Sequence, residues 1–150
     1  MSRKKRSSPR SAARKVPLKA ECPFCRIEPE LFVFEDELSV AFLDHRPLFP
    51  GHVLLVPKEH CETLADLPVS VVGHFFRNAQ SLSQAVEIAM AAEGSFVAIN
   101  NRVSQSVAHL HVHIVPRRKK DGLKGFFWPR HPYASAEQME ATRQAIRAAL

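Results

Sequence analysis

The chain has 150 residues, the length of one domain with little room for a second. Apolar residues make up 45% and charged residues 24%, which excludes collagen, coiled coil and a wholly disordered chain. The net charge of +6 sits in a tail: residues 1–20 carry eight basic residues and no acid, leaving 13 basic residues against all 15 acids and a net charge of −2.

Residues 1–20 are rich in Lys, Arg and Ser, bury too little to offset ordering entropy, and are expected to be disordered. A solubilising extension, weak nucleic-acid or other polyanion contact, and a transit peptide are the readings open for this tail. It has no apolar stretch of a secretory signal, and apolar runs such as Val53-Leu54-Leu55-Val56 are too short to span a bilayer. A cytoplasmic protein without membrane contact is expected, folded over residues 21–150.

Leu31-Phe32-Val33-Phe34 and Val40-Ala41-Phe42-Leu43 read as strands around a turn at Glu35-Asp36-Glu37. Pro47, Pro50 and Gly51 punctuate a loop, and His52 to Val56 forms a third strand stopped by Pro57. Val72, Phe75, Phe76, Ala79, Leu82, Val86 and Met90 follow helical spacing, with Gly94 expected as the C-cap. Phe96–Ile99 is a fourth strand and His109–Val115 a fifth, ended by Pro116. Ser135 and Gln138 have the form of a capping box ahead of a short C-terminal helix through Met139, Ile146 and Leu150. This is an α+β pattern: a five-stranded antiparallel sheet with one long helix and a short C-terminal one.

In the fifth strand His109, His111 and His113 alternate with Leu110, Val112 and Ile114, so three imidazoles share one face. Packing does not account for such a row. Metal binding is one reading, and a nucleophilic imidazole with neighbours holding phosphate oxygens is the other. Glu93 and Asp121 are the nearest acids and neither is close, whereas Gln105 and Ser106 are neutral donors just upstream, which favours the nucleophile. Cys22-Pro23-Phe24-Cys25 is a CxxC pair that permits a zinc knuckle, a redox pair or neither. With three cysteines and no export signal, a disulfide framework is not expected.

The run from Gln105 to Arg117 resembles the signature of the histidine triad family of nucleotide hydrolases and transferases. The likeness extends upstream through Cys22–Cys25, Ala41–Asp44 and Gly51–His60. It implies that His111 attacks the α-phosphorus of a purine nucleoside phosphoramidate, dinucleoside polyphosphate or adenylylated amine, forming a nucleotidyl-histidine that water cleaves. It implies that His113, Ser106, Gln105 and His52 serve the phosphate, that Asp44 and Asn100 serve the ribose, and that Phe24, Ile27 and Phe42 sandwich the base. No catalytic metal is required. Cys22, Cys25, His60 and His109 fill the positions that hold a structural zinc in some bacterial relatives, and a homodimer with a ten-stranded sheet is implied as well. The link Asn100-Asn101-Arg102-Val103-Ser104 departs from relatives that carry glycines there. Gly125–Arg130 falls where subfamilies diverge, its aromatics suited to a dimer surface or one wall of the site. Two other readings are a nucleotide-binding interaction protein with vestigial hydrolysis and a metallohydrolase using all three histidines of the row.

Overall fold

The computed structural model describes residues 21–124 and 131–150, so the basic tail and Gly125–Arg130 lie outside the described residues. The chain divides into two compact units between Lys119 and Lys120. In the first, strands β1 (Phe32–Glu35), β2 (Ser39–Leu43) and β3 (Val53–Pro57) are followed by helix α1 (Val69–Ala89) and strands β4 (Gly94–Ile99) and β5 (Val112–Arg117). The second holds α2 (Ala136–Ala148). Ser135 caps α2 by accepting from the Gln138 backbone N–H at 3.2 Å, while the Gln138 side chain accepts from Ala134 N–H at 2.6 Å.

All strand pairs are antiparallel, in the order β1-β2-β3-β5-β4. The late strand β5 therefore inserts between β3 and the edge strand β4. One sheet face packs on α1, where Phe75, Ala79, Leu82 and Val86 meet Leu55, Leu110, Val112 and Ile114. This is the helical period read from the sequence, and it buries the apolar half of the histidine row. On the other face Val40, Phe42, Leu54 and Val56 are covered by Phe24, Ile27 and Phe32. Both faces of the central strands are thus dry, and the second carries the site.

Three boundaries differ from expectation. The helix ends at Ala89 with Met90 as C-cap, and Ala91 takes the left-handed turn (φ +48°), so Gly94 opens β4 instead of capping α1. Pro57 and Pro116 lie inside strands, not beyond them. Each stands past the last β3–β5 pair, where a proline needs partners on one side only. The fifth strand begins at Val112, so His109 and His111 precede it. Their stretch of backbone is engaged elsewhere: His109 N–H donates to Val107 at 2.8 Å and Leu110 N–H to Cys61 at 2.7 Å. The alternation of apolar and imidazole side chains nevertheless persists.

Asp36, in the β1–β2 turn, ties the hairpin to α1. It accepts from Leu38 N–H, Ser39 N–H, His74 Nε2 (2.7 Å) and Asn78 Nδ2 (2.6 Å). Burial alone would raise the carboxyl's pKa, but the hydrogen bonds from Leu38, Asn78, His74 and Ser39 outweigh it and hold it well below the usual carboxylate range. A depressed carboxyl stabilises the fold above its unfolded pKa of 3.8, and that contribution is lost only as pH falls from there toward the folded value. Asp36→Ala removes the acceptor of these four donors and of the Ser39 hydroxyl (3.1 Å), and urea unfolding at pH 7 is expected to show a loss of about 2 kcal/mol.

Candidate active site

Cys22-Pro23-Phe24-Cys25 serves two neighbouring sites. A 3-10 turn over Pro23–Arg26 brings Cys25 N–H to Cys22 C=O at 3.2 Å and turns Phe24 onto the second sheet face. There Phe24 meets Phe42 edge-on at 5.4 Å and His111 at 5.2 Å between ring centroids. These rings border a cavity of about 900 Å³ that is also lined by Ile27, Asp44, Ser106 and His113. Seven of the ten residues expected to serve catalysis or the nucleotide, Phe24, Ile27, Phe42, Asp44, Ser106, His111 and His113, therefore share one cavity wall.

The hydrogen bonds fix the state of each ring, since a backbone N–H only donates and a carbonyl only accepts. His111 Nδ1 lies 2.7 Å from the His109 carbonyl, so Nδ1 carries the hydrogen and Nε2 keeps its lone pair. Leu48 N–H donates to His52 Nδ1 at 3.2 Å, so neutral His52 donates from Nε2 to His113 Nδ1 at 3.0 Å. The remaining polar atom of His113 is then Nε2–H, a donor suited to a phosphate oxygen. His52 itself is buried behind His113, to which it is hydrogen-bonded.

The His113 pKa is pushed down to about 4, chiefly by burial and also by the neighbouring His111 and His52 charges, against an upward pull from Asp44. His52 is lowered as well, by burial first, with Asp44 pulling upward and His111 downward. The unfolded chain therefore binds more protons at these rings than the folded one between pH 6.5 and about 4. Their stabilising contribution is full above 6.5 and declines as pH drops through that window. Melting temperatures across the window are expected to fall less steeply for His113→Asn than for the wild type. Equal slopes would assign the effect to other groups.

Three expected residues stand apart from the cavity wall: His52, already placed behind His113, and Gln105 and Asn100. Gln105 donates from Nε2 to the carbonyls of Glu62 (2.6 Å) and His109 (3.4 Å), and its Oε1 accepts from Arg102 N–H at 2.7 Å. In this structure it clamps the glycine-free link, in which Arg102 (φ +66°) and Ser104 (φ +60°) occupy the left-handed region that glycine ordinarily fills. Asn100 follows the last residue of β4 and is half-buried. The cavity also takes in Leu31, Leu43, His45, Arg46 and Leu54, which sequence reading passed over. The position of His45 and Arg46 directly after Asp44 was the available signal.

Behind Phe24, the potential ligand atoms of Cys22, Cys25, His60 and His109 all lie within 4.8 Å of one another. His109 Nε2–H donates to the Pro57 carbonyl at 2.9 Å, which turns the Nδ1 lone pair toward Cys22 Sγ (3.3 Å) and Cys25 Sγ (3.5 Å). His60 Nδ1 is 3.5 Å from Cys25 Sγ, and its buried Nε2 has no hydrogen-bond partner. Tetrahedral zinc with N and S bonds of 2.0–2.3 Å separates its ligands by about 3.5 Å, so this donor set fits the metal. The carbonyl of His109 orients His111 while its ring faces the thiols. Among the described residues, His109 groups with Cys22, Cys25 and His60, while His113 groups with Asp44 and His52 as a second set of potential ligands.

The HIT domain model matches residues 26–120. The chain belongs to the HIT, or histidine triad, family. It is an enzyme of a family whose members include proteins named as hydrolases. An adenylylsulfatase, HINT3 of Arabidopsis thaliana, is 35% identical over 71% of this chain and 57% of its own length. A HIT-family crystal structure from Bacillus subtilis superposes with a TM-score of 0.78 at 30% identity, covering 87% of this chain and 97% of that one. A zinc-bound histidine triad protein from Mycobacterium smegmatis gives 0.65 at 31% identity, with 88% and 99% covered. The HIT fold of this chain is thus the five-stranded antiparallel sheet with a long and a C-terminal helix. No helix among the described residues is long and apolar enough to cross a membrane.

Proposed function

We propose that this HIT protein hydrolyses or transfers nucleotidyl groups at the α-phosphate of purine nucleoside phosphoramidates, dinucleoside polyphosphates or adenylylated amines. The observation that carries the reading is the 2.7 Å hydrogen bond from His111 Nδ1–H to the His109 carbonyl, which frees Nε2 at a cavity bordered by neutral donors. His111 Nε2 attacks phosphorus, and the leaving group departs with the electron pair of its bond and takes up a proton. Water then cleaves the P–N bond and releases the nucleoside monophosphate. His113 and Ser106 hold the phosphoryl oxygens as charge builds on them, with His52 setting the donor atom of His113. Gln105 reaches those oxygens after releasing its backbone partners, and Asp44 and Asn100 bind the ribose. Phe24, Ile27 and Phe42 enclose the base.

Cys22, Cys25, His60 and His109 would hold a structural zinc, a closed N2S2 set with no position left for substrate. The chain acts in a reducing, cytoplasmic setting and pairs through α1 and the β4 edge, where Val97 is 46% exposed. The basic tail is a solubilising extension, with weak polyanion contact as the alternative.

The test is a panel of adenosine and guanosine phosphoramidates and dinucleoside polyphosphates, assayed before and minutes after adding a chelator. Release of nucleoside monophosphate that survives chelation is expected. Tight binding with turnover below about one per minute on every compound would favour the interaction-protein reading instead, and immediate loss on chelation would contradict the metal-free chemistry.

A further inference from the structure

We infer that His45 and Arg46 read the outer edge of the bound base and favour purines with an oxygen at the six-position over those with an amino group. The inference rests on the nucleotide reading above. Polar groups follow one another from His113 to His45: His113 Nδ1 is 3.0 Å from His52 Nε2, His52 Nδ1 is 3.7 Å from Asp44 Oδ2, and Asp44 Oδ1 is 3.9 Å from His45 Nδ1. A nucleotide with its phosphate at His113 and its ribose at Asp44 therefore places its base beyond Asp44. His45 and Arg46 follow Asp44 directly and line the same cavity, with apolar Leu31, Phe42 and Leu43 also in its wall.

Arg46 is held at this point, because its backbone N–H donates to Asp44 Oδ1 at 2.9 Å. The carboxylate that serves the ribose thus also sets the origin of the Arg46 side chain. Neutral imidazole both donates and accepts, so His45 tolerates either kind of base edge. Guanidinium only donates. Guanine and hypoxanthine present two acceptors, O6 and N7, to its two-pronged edge, whereas adenine opposes one prong with a donor amino group.

The test is calorimetric affinity of the full chain for GMP, IMP and AMP. GMP and IMP are expected to bind about tenfold more tightly than AMP, within the range of one bidentate base contact. In Arg46→Met, which keeps the apolar stem and loses the donors, the ratio should fall toward one, chiefly through weaker GMP and IMP binding. Equal affinities in the wild type, or a ratio untouched by Arg46→Met, would overturn this inference and leave the nucleotide reading intact. If Arg46→Met weakened GTP but left the GMP-to-AMP ratio unaltered, the side chain would serve phosphates and the inference would fall. Failure of all three monophosphates to bind would remove the nucleotide reading and this inference together.

Discussion

His111→Ala is expected to lower turnover by at least about 10⁴-fold while changing nucleotide affinity less than about tenfold. The split follows from where the ring sits. His111 is 97% buried, touches Phe24, and spends Nδ1 on the His109 carbonyl, so Nε2 is the atom left to form a bond. The apolar slot, Asp44 and His113 survive the substitution, and they carry the binding. A general-base or metal-assisted route that bypassed Nε2 would retain a substantial rate. Measuring kcat against the affinity for a non-hydrolysable nucleotide analogue separates the two cases.

The second large effect concerns the thiols. Purified protein is expected to hold about one equivalent of zinc, and a Cys22→Ser, Cys25→Ser double variant less than a tenth of one. Loss of the metal should reduce stability by at least about 3 kcal/mol, since a ligand bound only by the folded state stabilises it by RT ln(1 + L/Kd), L being the free ligand concentration. The cluster joins the loop before β1 to the segments after β3 and before β5, which no disulfide does, as none of the three cysteines is disulfide-bonded. Cys61 makes a useful internal control. Burial, with Asp66 and Glu59 adding to the effect, raises its thiol pKa to about 11, so it should resist alkylation under conditions where the half-buried Cys25 of the metal-free protein reacts. Because the His109 carbonyl orients His111, the double variant should also lose kcat more than nucleotide affinity. Stoichiometric zinc retained without both thiols would contradict the assignment.

The fold was legible because its elements are periodic. Phe75, Ala79, Leu82 and Val86 announce one helix face, and the alternation from His109 to Ile114 assigns one side to α1 and the other to the site. What escaped was set by partners distant in sequence. Nothing near Val112 indicates that β5 starts there, because the backbone before it is engaged by Val107 and by Cys61, which lies on another segment. Gly94 looks like a C-cap until Ala91 is seen making the turn itself. The Asp36 network joins residues up to 42 positions apart, and His74 carries no local hint of it. Gln105 belongs to the recognisable motif, yet its amide serves Glu62 and Arg102, a geometry that spacing does not encode. His45 and Arg46 look like ordinary loop residues until the cavity is traced past Asp44.

The most direct measurement is to mix the enzyme with a guanosine or adenosine 5′-phosphoramidate labelled at the α-phosphorus, quench in alkali within a turnover, and map the label by peptide mass spectrometry. The account predicts an acid-labile, alkali-stable nucleotidyl group on His111 that is absent from His111→Ala. Rapid product release with no label on the chain, or label on a different residue, would contradict it.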